Sequence, residues 1–327
     1  MKSILKSLFG LLTVIGLNSS FSQSQNNSTF PANPEIKLLI RAYGYLNGQK
    51  FTLNRIKKEF PTLEIAALKA ESEFNLNFKK GGENITSHLK ELIGKEYQNF
   101  ESTKLQQIAS ILGKQNITED LARQFVSDVN DRAKGKIESP VKETLLTYQY
   151  IDNPVQEFSS GFVNAYSTKN HSKSKNLEIA TKLPLSWSKS EGERPNVVQT
   201  FISENGNGTE VIILLIKEFQ TSGSLQNIFT ESELKKFATG EGAEPISAKE
   251  ITIDNQKGGQ IIFKMEGKRL DNITVVQGIM YVTLFRGKLI FLQCMVSKDN
   301  RNLNERFKLF LPLFNQVANS IVLMDQY

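Results

Sequence analysis

Two histidines and one cysteine bound the chemistry open to this chain: His88, His171 and Cys294 among 327 residues. Transition-metal centres gather imidazole, thiolate and carboxylate ligands at short, repeated spacings. No His-x-x-x-His pair, no motif joining a histidine to a carboxylate and no second cysteine occurs, so neither a metal nor a cofactor is expected. A serine nucleophile of the triad type needs a histidine base, and the Gly-x-Ser-x-Gly elbow that presents it is absent. His88 directly precedes Leu89 of a predicted helix and reads as a surface or boundary residue, while His171 falls in a polar stretch. Gly206-Asn207-Gly208 lacks the third glycine and the following helix of a phosphate loop and reads as a hairpin turn. Cys294 alternates with Ile290, Leu292 and Val296 on one strand face, which makes it a buried thiol used as a small apolar side chain. No catalytic residue is expected.

Recognition chemistry is better represented. Trp187 and the loop Gly192-Glu193-Arg194-Pro195-Asn196 form the candidate binding surface, with Trp187, Arg194 and Asn196 as its contact residues. Tryptophan and arginine are frequent anchors at interfaces. For Trp187 the plainer alternative is core packing under a sheet edge, the commoner fate of so large an apolar ring. Glu191 and Glu193, with Asp152, are the carboxylates that acid–base hydrolysis could use, although acids in a Gly- and Pro-containing loop are usually just solvated.

Lys2 and Lys6, the apolar run from Leu8 to Leu17 and the small-x-small sequence Ser20-Phe21-Ser22 have the order of a secretory signal peptide over residues 1–22. The run is about half of the roughly 20 apolar residues a membrane span needs. No cysteine follows it for lipid attachment, and no later stretch is long and apolar enough to span. The mature chain is therefore expected to be exported, periplasmic or extracellular, without a transmembrane segment. Its Gln-, Asn- and Ser-rich residues 23–33 are expected to form a disordered leader. With Lys2 and Lys6 gone, 38 basic residues stand against 34 acidic ones, a net of +4. That mild balance argues against a nucleic-acid partner, which calls for a concentrated basic face. The densest cluster, Lys169, His171, Lys173 and Lys175, reads as a solvated linker. A single cysteine allows no internal disulfide, so packed cores must supply the stability.

The elements that position these residues fall into two kinds. Over 34–133, apolar side chains recur at three- and four-residue steps. Pro34 opens a helix with Ile36, Leu39, Ile40 and Tyr43 on one stripe, ended or weakened at Gly44 and Gly48, and a short helix around Leu53 and Ile56 closes at Pro61. Leu63, Ala67, Ala70, Phe74 and Phe78 make a third stripe that Gly81-Gly82 is expected to stop. A fourth runs from Ile85 to Leu112, and Thr118 caps a fifth with Leu121, Phe125 and Val129. Helices with one apolar face each must pack on one another, giving a helical bundle. Residues 134–176 read as a linker and connecting segment.

Beyond it the period changes to that of strands: 177–183, 197–204, 210–219, 246–254, 259–267, 273–286 and 288–297. Turns are expected at Asn205-Gly206-Asn207-Gly208, Lys257-Gly258-Gly259 and Arg286-Gly287-Lys288. Val211–Ile216 and Leu289–Leu292 are apolar on both faces and need cover above and below. The covers are residues 230–239 and a C-terminal helix with the stripe Leu303, Phe307, Phe310, Phe314, Val317 and Ile321, kinked or restarted at Pro312. The expected fold is thus α + (α+β), an N-terminal helical bundle followed by an antiparallel-sheet α/β/α sandwich over 177–327.

Leu183-Pro184-Leu185-Ser186-Trp187, flanked by strands, resembles the Pro-x-x-Trp opening of PsbP-like domains. The element order over roughly residues 150–325 is similar as well: strands, a helix, four strands in hairpins and a closing helix. The whole chain also resembles exported Gram-negative bacterial proteins that join a helical segment to such a sandwich, through Glu157-Phe158-Ser159-Ser160-Gly161-Phe162 and Glu191-Gly192-Glu193-Arg194-Pro195-Asn196. The resemblance implies a PsbP-like sandwich with an accessory or docking role, although folds host many activities.

Three functions stay open on this basis. The first is a non-enzymatic exported binding or accessory module that docks a protein or cell-envelope component. The second is a carboxylate-based hydrolase in an inter-domain cleft, with two acids about 5–10 Å apart. The third is a carrier of a small apolar ligand, which requires a roomy cavity.

Overall fold

The computed structural model describes residues 34–219, 228–240, 242–269, 272–297 and 302–327. The signal peptide and leader expected over 1–33 lie outside these residues. The chain divides into two compact units, the first ending at Ile151 and the second beginning at Asp152.

In the first unit the apolar stripes become α1 (Pro34–Glu59), α2 (Glu64–Ile93), α3 (Tyr97–Gly113) and α4 (Glu119–Ala133), and a further helix, α5 (Val141–Gln149), joins them. Leu39, Ile56, Ile85, Leu89, Leu145 and Leu146 are fully buried between them. Neither glycine pair breaks a helix: α1 runs through Gly44 and Gly48, and α2 through Gly81 and Gly82. A mid-helix glycine costs about 1 kcal/mol against alanine, and packing outweighs that here. A Cβ on Gly81 would lie 2.8 Å from the Leu145 carbonyl oxygen and 3.2 Å from Gln149 Cβ, so α5 approaches α2 at a distance only glycine allows. Gln149 Oε1 accepts from the Gly81 N–H at 2.6 Å, and Asn84 Nδ2 donates to the Tyr148 carbonyl at 2.8 Å. The break comes instead at Gly94, whose φ of 61° lies in the region that glycine enters without steric cost. Thr118 caps α4 as its sequence suggests, accepting from the Leu121 N–H, with Glu119 and Asp120 in the first turn.

The second unit begins with α6 (Pro154–Ser159) and β1 (Val163–Ser167). Residues 134–176 are therefore not a linker: α5 walls the first unit, while α6 and β1 belong to the second. Elements of nine, six and five residues are too short for periodicity to distinguish from loop. The Lys169–Lys175 stretch is likewise held. The fully buried Thr168 donates its hydroxyl to the Leu177 carbonyl at 2.7 Å and accepts from the Ile179 N–H at 2.9 Å.

Nine further strands follow: β2 (Ile179–Pro184), β3 (Ser188–Glu191), β4 (Val197–Ile202), β5 (Glu210–Glu218), β6 (Glu244–Ile253), β7 (Gln256–Arg269), β8 (Asn272–Phe285), β9 (Lys288–Ser297) and β10 (Val322–Leu323). Among the described residues they form a small sheet, β1-β2-β10, and a large one ordered β3-β4-β5-β9-β8-β7-β6, antiparallel at every pairing. Helix α7 (Glu231–Gly240) covers one face of the large sheet and α8 (Leu303–Asn319) the other, giving the α/β/α sandwich.

Side-chain alternation assigns the two faces. Ile212, Leu214 and Ile216 of β5, Ile290, Leu292 and Cys294 of β9, and Ile279 and Tyr281 of β8 pack with Phe307, Phe310, Phe314 and Val317 of α8. The intervening residues, among them Phe291, Met280, Val282, Ile261 and Phe263, pack with Leu234 and Ala238 of α7. One local expectation gives way, and another loses one of its two alternatives. The β6–β7 turn is made by Asp254 and Asn255, at φ 43° and 64°, and Gly258 and Gly259 lie inside β7. Asp and Asn tolerate that left-handed region, while a Cβ on Gly259 would strike Leu234 of α7. Helix α8 continues through Pro312 without a restart. Pro312 and Lys308, whose carbonyl loses its partner, are both exposed, where solvent can take the missing bond.

Candidate binding cleft

Helix α7 is ten residues long and lies over β6 and β7, and among the described residues it leaves the same sheet face open toward β5 and β4. A cleft of about 430 Å³ opens there. Its floor is Leu215 of β5, Phe263 and Met265 of β7, Met280 of β8 and Phe291 of β9. Phe237 of α7 forms one wall, its ring stacked on Phe291 at 5.5 Å between centroids and 14° between planes. Arg194, Pro195 and Asn196 form the opposite rim, joined by Lys217 and Gln293.

Local geometry brings that rim into place. Gly192 packs against Val197 so closely that any Cβ would fall within 2.5 Å of it, and only glycine fits. Lys173 Nζ donates to the Gly192 carbonyl and pairs with Glu191 at 3.3 Å, pinning the loop. The Val197 N–H donates to the Arg194 carbonyl at 3.0 Å, closing a turn, and the Ile216 N–H donates to the Asn196 carbonyl at 2.9 Å. A bulge between Val197 and Gln199 then turns Val197 toward the cleft while Val198 enters the core on the α8 side. Lys217, one position beyond Ile216, holds its ammonium 5.7 Å from the Phe291 ring centroid.

The structure separates the three residues expected to bind. Arg194, exposed, and Asn196, half-buried, line the cleft. Trp187 is 7% exposed and packs on the other face of the sheet, 6.4 Å from the Phe310 ring, as the core alternative has it. Its Pro184-Leu185-Ser186-Trp187 turn is fixed by Glu157, a buried carboxylate that accepts from the Ser186 N–H and hydroxyl at 2.7 Å each. Leu215, Lys217, Phe237, Met265 and Met280 carry no local signal that would have marked them as lining. They read simply as strand and helix residues of apolar pattern.

The remaining chemical groups lie elsewhere. Glu193 and Asp152 are exposed, Glu191 pairs with Lys173, and none of the three lines the cleft. Cys294 is fully buried, and burial pushes its thiol well above the ordinary value. His88 Nδ1 lies 3.7 Å from Glu91 Oε2, three residues on in α2, and folding sets its Nε2 2.9 Å from Glu35 Oε1, to which the Tyr148 hydroxyl also donates at 3.2 Å. Among the described residues no group of three His, Cys, Asp or Glu side chains gathers to hold a metal, and no helix is long and apolar enough to cross a membrane. A second groove of about 540 Å³ runs between α1 and α2 in the first unit, where Lys50 and Lys79 are matched by Glu71 and Glu83.

No protein-family model matches the chain, and no curated protein matches it. Among solved structures it is similar to the cyanobacterial PsbP, CyanoP, of Synechocystis sp. PCC 6803, at 22% identity and a TM-score of 0.36, covering 49% of this chain and 92% of that one. The Ran-binding protein Mog1p of Saccharomyces cerevisiae is similar at 7% identity and a TM-score of 0.35, over 50% and 96% of the two chains. LpqN of Mycobacterium tuberculosis, involved in cell envelope biogenesis, gives 12% and 0.33 over 52% and 96%. The chain resembles PsbP-like domains, and at these identities the likeness is one of fold alone.

Proposed function

We propose that the chain is an exported, non-enzymatic binding module that docks a protein or cell-envelope component through the cleft beside α7. Export rests on the signal-like residues 1–22. The observation that carries the binding role is the make-up of the cleft among the described residues: an apolar floor, an amide and cationic rim, and no carboxylate, imidazole, thiol or hydroxyl side chain lining it. Such a surface orients and desolvates a ligand, and its described residues do not bring together the usual groups for proton transfer or nucleophilic attack.

Photo-crosslinking tests this on the full chain in an exporting bacterium. A photoreactive residue at Phe237 on the cleft wall should give discrete adducts that disappear when Gln293→Trp fills the cleft. The same residue at Ile65, 83% exposed on α2, should not give those adducts. Identical adducts from both positions, or adducts indifferent to Gln293→Trp, would overturn the proposal.

A further inference from the structure

Helix α2 is apolar on two sides, and we infer that its outer side is the contact between two copies of this chain, paired antiparallel about Ser72. Ala67, Ala70, Phe74 and Phe78 are buried, on the side that meets α1, α4 and α5. On the opposite side stand Ile65, 83% exposed, Leu68, 47% exposed, and Leu76, 79% exposed. At 3.6 residues per turn these three, with the exposed Ser72 and Lys79, fall within an arc of about 80°. A solvated helix face ordinarily carries polar side chains. Three large aliphatic ones on a single line mark a face with a use beyond the packing of its own unit.

The spacing of this face identifies its occupant. Counted from Ser72, Leu68 and Leu76 lie four residues to either side, and Ile65 and Lys79 seven. That palindrome is what a two-fold contact requires, because each copy must offer the surface that the other needs. Antiparallel pairing sets Leu68 of one copy beside Leu76 of the other, twice over, in the side-by-side layers of a helix seam. It brings Ser72 to meet its own counterpart on the axis, where a small side chain lets the two helices close. Ile65 then lies beside Lys79 of the second copy, whose methylene stem covers it. The Lys79 ammonium, 3.8 Å from Glu83 of its own helix, also comes within reach of Glu64 across the contact. Parallel pairing would instead oppose Lys79 to Lys79 and leave the palindrome unused. One helix face is smaller than a permanent interface, so the dimer is a reversible one that forms at roughly micromolar concentrations.

Sedimentation equilibrium of the full chain should show the mass rising from one copy toward two through the micromolar range. Leu68→Glu and Leu76→Lys should each weaken association at least roughly tenfold, by setting a charge against a leucine. Their thermal melts should stay unchanged, because both positions are exposed. An equimolar mixture of the two variants should recover association to within a few-fold. One layer of the mixed dimer then holds the introduced acid beside the introduced base, and the other keeps two leucines. Mild oxidation should join Ser72→Cys into a disulfide-linked dimer, Cys294 being buried. It should not join Ile65→Cys, whose counterparts lie about 20 Å apart in this pairing. A chain that stays monomeric throughout the range overturns the inference, as does association that both leucine variants leave intact. Loss in both variants without recovery in the mixture, or crosslinking at Ile65→Cys rather than Ser72→Cys, overturns the antiparallel register and the proposal with it.

Discussion

Glu210 at the start of β5 is fully buried, and its carboxylate accepts from Arg306 Nε at 2.6 Å, the Ser203 hydroxyl at 2.6 Å and the Thr209 hydroxyl at 2.9 Å. Arg306, in the first turn of α8, also lies 4.7 Å from the Phe310 ring centroid and 3.6 Å from Glu204. Burial alone would raise the Glu210 carboxyl, but the Arg306 hydrogen bond and charge, with the two hydroxyls, outweigh it and hold the group below its ordinary value of 4.5. A depressed folded value means the interaction stabilises fully above the unfolded value and is lost as pH falls through the folded one. Urea titrations should therefore show stability dropping below about pH 4.5, with a flatter profile over that range in Glu210→Gln. Arg306→Met, which strands a buried charge, should cost about 3–5 kcal/mol at neutral pH. Trp187 offers a contrasting residue. Trp187→Ala should cost about 3–5 kcal/mol, as for a large core ring, yet leave the adducts formed at Phe237 unchanged in the folded protein. Loss of those adducts without loss of stability would return Trp187 to the role of a surface anchor.

Close approach between elements explains why α2 runs through its two glycines. Gly81 is fixed by the backbone of α5, with the Leu145 carbonyl 2.8 Å from a would-be Cβ, whereas Gly82 faces only the end of the flexible Leu46 side chain at 3.1 Å. The two neighbours should thus respond oppositely to the same change. Gly81→Ala should destabilise by about 1–3 kcal/mol through overpacking. Gly82→Ala should be neutral or stabilising by up to about 1 kcal/mol, because alanine's helix propensity is regained once Leu46 turns aside. Chemical denaturation of the two variants side by side measures this, and equal losses would mean that α5 does not seat on Gly81.

At the scale of the whole molecule, each unit carries its own buried interior. That of the second includes both faces of the large sheet and is closed by α8 and α7. The C-terminal residues clasp this unit. Asp254 accepts from the Leu323 N–H at 2.7 Å and the Tyr327 hydroxyl at 2.8 Å, and Asp325 accepts from the Glu178 N–H at 3.1 Å. Residues 152–327 produced alone should accordingly unfold in one cooperative urea transition followed by circular dichroism. A broad, non-cooperative loss of structure would show that this interior needs the first unit.

The sequence by itself determined the kind of each long element. Period and turn chemistry are local properties, and they suffice for the helices over 34–133, the seven longer strands, the two covering helices and the buried alternation around Cys294. Local signals failed wherever the deciding partner was remote. Gly81 reads as a breaker until α5 is packed on it, Gly258-Gly259 read as a turn until Leu234 of α7 lies against β7, and the closer carboxylate of His88, Glu35, arrives only with α1. Arg194 and Asn196 could be picked out as candidates, but nothing in their neighbourhood says they face Met280 and Phe291. Period establishes that both sheet faces are apolar. How the rim beside α7 is placed depends on the length of α7 and on how Gly192 and the β4 bulge fold it back, and those are decided only when the layers pack.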